Sequence, residues 1–139
     1  MTDKIDERSA SAAAAGEAER QRGYIDMLRE ELAGSRPLSY TVVTFGCQMN
    51  ARDSEKLSGI LEAIGMRETE DELSADLVLF NTCTIRENAN EHLYGRLGRL
   101  KPIKKQRPDM IIAICGCMMQ ETDEVEKISR TYPYVDIMF

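Results

Sequence analysis

Residues 75–81 read ADLVLFN, an apolar run that lacks the alternation of polar residues seen in half-exposed strands. Such runs are typical of parallel strands that are buried on both faces. A helical pattern follows over residues 87–100, and a second apolar run, IIAIC, occupies residues 111–115. A buried strand, a helix and another buried strand in succession predict a parallel βαβ unit.

The segments on either side extend this α/β pattern. They predict a strand at 40–45 (YTVVTF), a helix at 52–63, a weak strand at 66–69, a helix at 123–130 and a last apolar piece at 134–139. The resulting order, β-α-β-β-α-β-α-β, predicts a mostly parallel, flavodoxin- or Rossmann-like sheet of about five strands with helices on both faces. The expected strand order is 2-1-3-4-5.

The first 36 residues differ in composition from the rest. They are small, polar and Ala-rich, and their first periodic apolar residues are Ile25, Leu28 and Leu32. These residues, with Gly34 and Pro37 as a stop signal, predict a helix at about 18–33. We therefore expect an N-terminal appendage over 1–36, partly helical or disordered, and one domain over 37–139.

Bulk composition suits a soluble domain. The 139 residues are 42% hydrophobic and 30% charged, with no run apolar enough to span a bilayer and no secretory signal pattern. A cytoplasmic location, no membrane association and a monomeric state are expected. The net charge of -6 argues against a nucleic-acid binder that uses its whole surface. Residues 86–107, with seven basic groups against two acids, could contact phosphates, although a solvated helix face is the favoured interpretation.

Three cysteines fall where a predicted strand runs into the following helix: Cys47, Cys83 and Cys117. Because strands 1, 3 and 4 are expected to be neighbours, these thiols can meet at the carboxyl edge of the sheet. Three thiolates suit a soft metal centre and leave one position of a four-iron cluster, or of zinc, open. Cys115 belongs to the strand run and is interpreted as a small hydrophobe.

Two alternatives stay open at this point. Zinc fits less well than iron-sulfur because the cysteines lie 36 and 34 residues apart, without short CxxC motifs. Even so, a zinc-stabilised binding module of flavodoxin-like fold is possible from the spacing. A plain interaction domain with incidental thiols is the other alternative.

Several residues beside the cysteines are candidates for supporting roles. Gly46 and Gly116 precede two of the cysteines and would let the backbone approach a bulky centre or adopt positive φ. Asn50 with Asp53, and Thr84 with Glu87, predict helix N-caps. Four side chains could hydrogen-bond cluster sulfur or a substrate, or could equally be cap or turn residues: Gln48, Asn50, Asn81 and Arg86. His92 is expected to be exposed or packed rather than a ligand, and Met118 and Met119 are expected to pack in a loop.

Three segments together resemble the N-terminal domain of the radical-SAM methylthiotransferases: TFGCQMNARDSEKLSGIL, ADLVLFNTCTIRENANEHLYGRLGRLK and IIAICGCMMQ. The resemblance covers about residues 38–139, and CQMN and NTCTIRENA are closer to the tRNA-modifying branch of the family. It implies that Cys47, Cys83 and Cys117 ligate an auxiliary [4Fe-4S] cluster with one open iron, which holds or supplies sulfur. The implied reaction places a methylthio group on C2 of N6-isopentenyladenosine beside the tRNA anticodon.

The family's radical chemistry uses a second [4Fe-4S] cluster on a CxxxCxxC loop that cleaves S-adenosylmethionine. No CxxxCxxC occurs in these 139 residues. The resemblance therefore implies a truncated chain without the radical-SAM and RNA-binding domains. As such a fragment it is expected to contain no catalytic residue, to be inactive alone, and to meet tRNA and a sulfur donor only as part of the intact enzyme.

Overall fold

The computed structural model describes residues 2–34, 36–46, 48–83 and 87–139. None of the helices within those ranges is both long and apolar enough to cross a lipid bilayer. In chain order the elements are α1 (Thr2–Leu32), β1 (Ser39–Thr44), α2 (Gln48–Ile64), β2 (Arg67–Glu68), β3 (Leu77–Thr82), α3 (Glu87–Gln106), β4 (Ile111–Gly116), a 3₁₀ helix (Cys117–Gln120), α4 (Thr122–Thr131) and β5 (Ile137–Met138).

The five strands form one sheet in the order β2-β1-β3-β4-β5, and every pairing is parallel. This confirms the predicted α/β fold and its strand order. β3 is the central strand, with Thr44 of β1 opposite Asn81 on one side and Gly116 of β4 opposite Thr82 on the other. The carboxyl ends of β1, β3 and β4 therefore lie side by side.

The two faces of the sheet are covered by different helices. On one face Val78 and Phe80 of β3 pack with Leu93 and Leu97 of α3 and Ile128 of α4, all completely buried. On the other face a smaller cluster of Leu79, Ala113 and Cys115 packs against Leu57 of α2. Alternate residues of β3 and β4 thus point to opposite cores, as expected for strands buried on both sides.

Two helices begin earlier than predicted. α1 starts at Thr2 rather than near residue 18, because alanine favours helix even where no apolar stripe marks it. α2 starts at Gln48 rather than at about residue 52, so Asn50 lies inside its first turn and is not the N-cap that its spacing to Asp53 suggested. Thr84, the other predicted cap, lies outside the described residues. As expected, the described chain has no helix between β2 and β3.

The amino edge of the sheet is held together by Asp76, directly before β3. Its carboxylate accepts hydrogen bonds from Arg36 at 2.6 and 3.1 Å, from Arg107 at 2.9 Å and from the Ser39 backbone N–H at 2.8 Å. The Arg36 guanidinium is the main cause that lowers the pKa of this carboxyl below its usual value. Asp76 therefore ties the start of β1 and the end of α3 to the central strand.

Candidate metal centre

Two of the three predicted thiols lie at the carboxyl edge of the sheet, on neighbouring strands. Cys83 directly follows Thr82 at the end of β3, and Cys117 directly follows Gly116, the register partner of Thr82. Paired residues on adjacent strands are about 5 Å apart, so the two cysteines leave the sheet next to each other. Cys83 is 3% exposed, whereas Cys117 is exposed to solvent at the start of the 3₁₀ helix.

The third thiol, Cys47, lies outside the described residues, as do Arg86 and the side chain of Gln48. In the described ranges, which lack Cys47, no three His, Cys, Asp or Glu side chains gather as a metal-binding group. The meeting of all three thiols therefore stays a prediction. Gly46, the residue before Cys47, is described, and its surroundings show how close this segment comes to Cys83.

Gly46 and Gly116 both have positive φ and both are crowded by the cysteine-bearing end of β3. Gly46 has φ +115°, and a Cβ added to it would lie 2.5 Å from the Cys83 Cβ and 3.0 Å from its Sγ. Gly116 has φ +105°, and an added Cβ would lie 2.2 Å from the Thr82 carbonyl oxygen. Both glycines are thus needed for conformation and for close approach. They let the backbone at Gly46, before Cys47, and at Gly116, before Cys117, lie close to the end of β3 that carries Cys83.

Polar side chains beneath this edge bond to one another and to the main chain. Asn81, 1% exposed, donates from Nδ2 to the Asn50 carbonyl oxygen at 2.9 Å and to the Ser54 Oγ at 3.1 Å. Asn50 donates from its own Nδ2 to the Thr82 carbonyl oxygen at 2.9 Å. The sequence suggested Asn50 and Asn81 as residues that bond to a cluster or substrate, and the structure shows protein acceptors for both amide nitrogens.

Ser54 and Thr82 were missed by the sequence analysis. Ser54 lies one helical turn after Asn50, so the pair could have been read as one polar face of α2 turned towards the sheet. Thr82 stands between Asn81 and Cys83, and its Oγ1 donates to the Cys115 carbonyl oxygen at 2.8 Å. Neither residue type signals such a contact by itself.

The fourth cysteine differs from the other described thiols. Cys115 is 5% exposed in the apolar cluster beneath α2. Burial, with a smaller contribution from Asp53, raises the pKa of its thiol to about 11. Because a metal ligand must be a thiolate, this environment disfavours ligation by Cys115. It supports the interpretation of Cys115 as a small hydrophobe.

An open depression of about 460 Å³ lies on the α2 side of this edge, and its lining includes Cys117, Cys115, Asn81, Lys56 and Met119. It gives the exposed Cys117 an approach from solvent. Met118 is 1% exposed and packs in the core with Met119 at its border. The two were expected to pack in a loop; they do pack, but as part of the 3₁₀ helix. Thiolates at these positions are suitable ligands for an iron-sulfur cluster. The glycines leave room beside them, and the depression opens the site to solvent.

Comparison with known proteins matches residues 39–139 to the model of a family described as "Uncharacterized protein family UPF0004". The chain belongs to this family. The match covers all five strands and all three cysteine loops, including Cys47. It therefore extends over the whole of the candidate centre.

Several relatives carry the name tRNA-2-methylthio-N(6)-dimethylallyladenosine synthase. One from Lachnoclostridium phytofermentans is 62% identical over 104 residues, which is 75% of this chain and 23% of the relative. One from Acetivibrio thermocellus is 48% identical over 128 residues, 88% of this chain and 27% of the relative. One from Clostridium perfringens is 51% identical over 100 residues, 72% of this chain and 22% of the relative. The chain spans about a quarter of their length, and the resemblance drawn from the cysteine motifs is confirmed.

Three of the seven basic residues of the stretch 86–107 pair with acids of the domain. Arg96 pairs with Glu72 at 2.5 Å and lies 5.6 Å from the centre of the Phe45 ring. Lys104 pairs with Asp136 at 2.8 Å. Arg107 is bound to Asp76. Arg99, Lys101 and Lys105 are exposed, as expected for a solvated helix face, and the lone His92 is also exposed on α3.

Proposed function

We propose that residues 37–139 form the auxiliary [4Fe-4S]-binding, sulfur-donor domain of a tRNA methylthiotransferase. The intact enzyme would convert N6-isopentenyladenosine to its 2-methylthio derivative beside the anticodon. The observation that carries the proposal is that Cys83 and Cys117 follow the register-paired residues Thr82 and Gly116 at one edge of the sheet. The names and identities of the relatives support the choice of reaction.

In this proposal Cys47, Cys83 and Cys117 each provide one thiolate. When bound, the cluster would supply an iron without a protein ligand, at which transferable sulfur is held. Cys83 would lie on the buried side of the centre and Cys117 on the solvent side, because their exposures differ in this sense. Gly46 would close the site without a side chain, since a Cβ there would collide with Cys83.

The radical step would belong to the remainder of the intact enzyme. The cysteines of these 139 residues stand at 47, 83, 115 and 117, so none of them forms the CxxxCxxC motif that would hold a second cluster for cleavage of S-adenosylmethionine. We therefore expect these 139 residues alone to be inactive in methylthiolation. Contact with tRNA and with a sulfur donor would likewise be made as part of the intact, cytoplasmic enzyme.

Anaerobic reconstitution with iron and sulfide tests the proposal. About four iron atoms and four acid-labile sulfides per chain are expected for one cluster. Replacing Cys47, Cys83 or Cys117 singly by Ser should remove most of the iron. Cys115→Ala is the matched control and should retain it, because Cys115 belongs to the apolar cluster beneath α2, where burial disfavours the thiolate.

Two outcomes would contradict the proposal. Stoichiometric zinc with no uptake of iron would favour a zinc-stabilised binding module. Unchanged metal content and stability in all three Cys→Ser variants would favour an interaction domain with incidental thiols.

A further inference from the structure

Buried polar side chains are concentrated beneath the candidate centre. In the described part of the chain, five polar residues are buried: Thr41, Asn50, Ser54, Asn81 and Thr82. Four of these lie at the carboxyl edge of the sheet, and we call Asn50, Ser54, Asn81 and Thr82 the carboxyl-edge network. Burying polar groups is unfavourable unless each is hydrogen-bonded, and apolar residues of similar size would fill the same space. Where such groups are hydrogen-bonded to one another, the network rigidifies the segments that it joins.

The network joins elements that are far apart in sequence. Asn81 of β3 donates to the Asn50 carbonyl oxygen and to Ser54, both on α2. Ser54 in turn shares a 2.6 Å hydrogen bond with Thr44 at the end of β1. Through these bonds, β1, α2 and β3 are tied together at one end of the sheet.

Two further bonds reach the main chain beside the cysteines. Asn50, three residues after Cys47, donates to the carbonyl oxygen of Thr82, which directly precedes Cys83. Thr82 donates from Oγ1 to the carbonyl oxygen of Cys115, two residues before Cys117. Because both acceptors are backbone atoms, these bonds set the distances between backbone segments and not merely between flexible side chains.

We propose that the carboxyl-edge network is a positioning device for the three cysteine-bearing loops. Asn50, Asn81 and Thr82 act as positioning residues that hold the backbones next to Cys47, Cys83 and Cys117 at the separation that a shared, thiolate-bound centre requires. They act through the main chain and touch no metal. The inference rests on the proposed function in one respect, the identity of the metal centre. The hydrogen bonds of the network are observed independently of it.

Thr82 offers the sharpest test because its size and strand preference can be kept while its hydroxyl is removed. Thr82→Val loses the donor to Cys115, whereas Thr82→Ser keeps it. Tyr40→Phe is the matched control, since the Tyr40 hydroxyl also links β1 to α2, through Glu62 at 3.1 Å, at the opposite end of these elements. Asn50→Ala serves as a second variant of the network.

The 139-residue chain is loaded anaerobically with iron and sulfide, and retention of iron is measured against a competing chelator. Separately, the chain without iron is titrated with Cd²⁺, a soft ion that binds thiolates. Losses of about 10- to 100-fold in affinity for both metals are expected for Thr82→Val and Asn50→Ala, the usual effect of removing a residue that orients metal ligands. Thr82→Ser and Tyr40→Phe should bind both metals like the unmodified chain.

The readouts separate the two proposals. Circular dichroism establishes that each variant is folded, and a variant that unfolds is replaced by the other member of the network. Unchanged metal affinity in folded Thr82→Val and Asn50→Ala, with only the melting temperature lowered, would overturn the positioning role. If the unmodified chain binds Cd²⁺ but assembles no iron-sulfur cluster, the proposed function fails, and the Cd²⁺ series still decides the role of the network.

Discussion

Gly116→Ala should both destabilise the fold and disturb the candidate centre. Gly116 has φ 105° and ψ -172°, a region that is nearly restricted to glycine and costs other residues about 1–3 kcal/mol. The added Cβ would also lie 2.2 Å from the Thr82 carbonyl oxygen, where carbon and oxygen normally stay about 3.3 Å apart. Because that oxygen belongs to the backbone of the central strand, β4 would have to move by about 1 Å.

Overpacking of this kind costs about a further 1–3 kcal/mol. We therefore expect the free energy of unfolding to fall by about 4 kcal/mol, which lowers Tm by about 15 °C for a domain of this size. Thermal unfolding of the metal-free chain, followed by circular dichroism, measures the shift. Iron retention after reconstitution should also fall, since Cys117 would be displaced from Cys83.

Gly98→Ala is the matched control for this experiment. Gly98 lies inside α3 and has no atom within 4 Å of its added Cβ. Alanine there should raise the free energy of unfolding by about 1 kcal/mol through its higher helix propensity. A Gly116→Ala chain that melts with the unmodified protein would refute the reasoning about close approach at this edge.

Two other predictions concern charged and thiol groups. Asp76→Asn should lower the free energy of unfolding by about 2 kcal/mol at neutral pH, because charge-assisted hydrogen bonds to Arg36 and Arg107 are lost. The folded-state pKa of Asp76 is lowered, so its stabilising contribution is present above the usual carboxyl pKa of about 4 and disappears as the pH falls through the lowered value. The free energies of unfolding of the unmodified protein and of Asp76→Asn, measured with urea, should therefore become equal in acid. The other prediction concerns the thiols. With a pKa of about 11, only about a thousandth of the Cys115 thiol is ionised at pH 8, so iodoacetamide should label the exposed Cys117 well before Cys115. Mass spectrometry of the labelled peptides measures the two rates. Equal labelling rates in the folded, metal-free chain would contradict the placement of Cys115.

Local patterns in the sequence were enough to predict the architecture. Apolar runs at 75–81 and 111–115 and the helix patterns between them predicted the elements, and the same alternation led to the observed strand order. This was possible because periodicity and propensity are local properties that survive in the printed sequence. The placement of Cys83 and Cys117 at one edge followed from strand ends in a parallel sheet. α1 was underestimated because the prediction relied on an apolar stripe that an Ala-rich helix does not need.

The construction of the carboxyl edge, by contrast, is visible only in the folded domain. Asn50 resembled an N-cap by its spacing to Asp53, yet it lies within α2 and bonds to Thr82, 32 residues away. Gly46 likewise leaves room for Cys83 and does not merely shape its own turn, since a Cβ added to it would lie 2.5 Å from the Cys83 Cβ. Such contacts depend on sheet register and on the depth at which a helix packs. Those quantities arise from the summed packing of the whole domain, and no short stretch of sequence contains them.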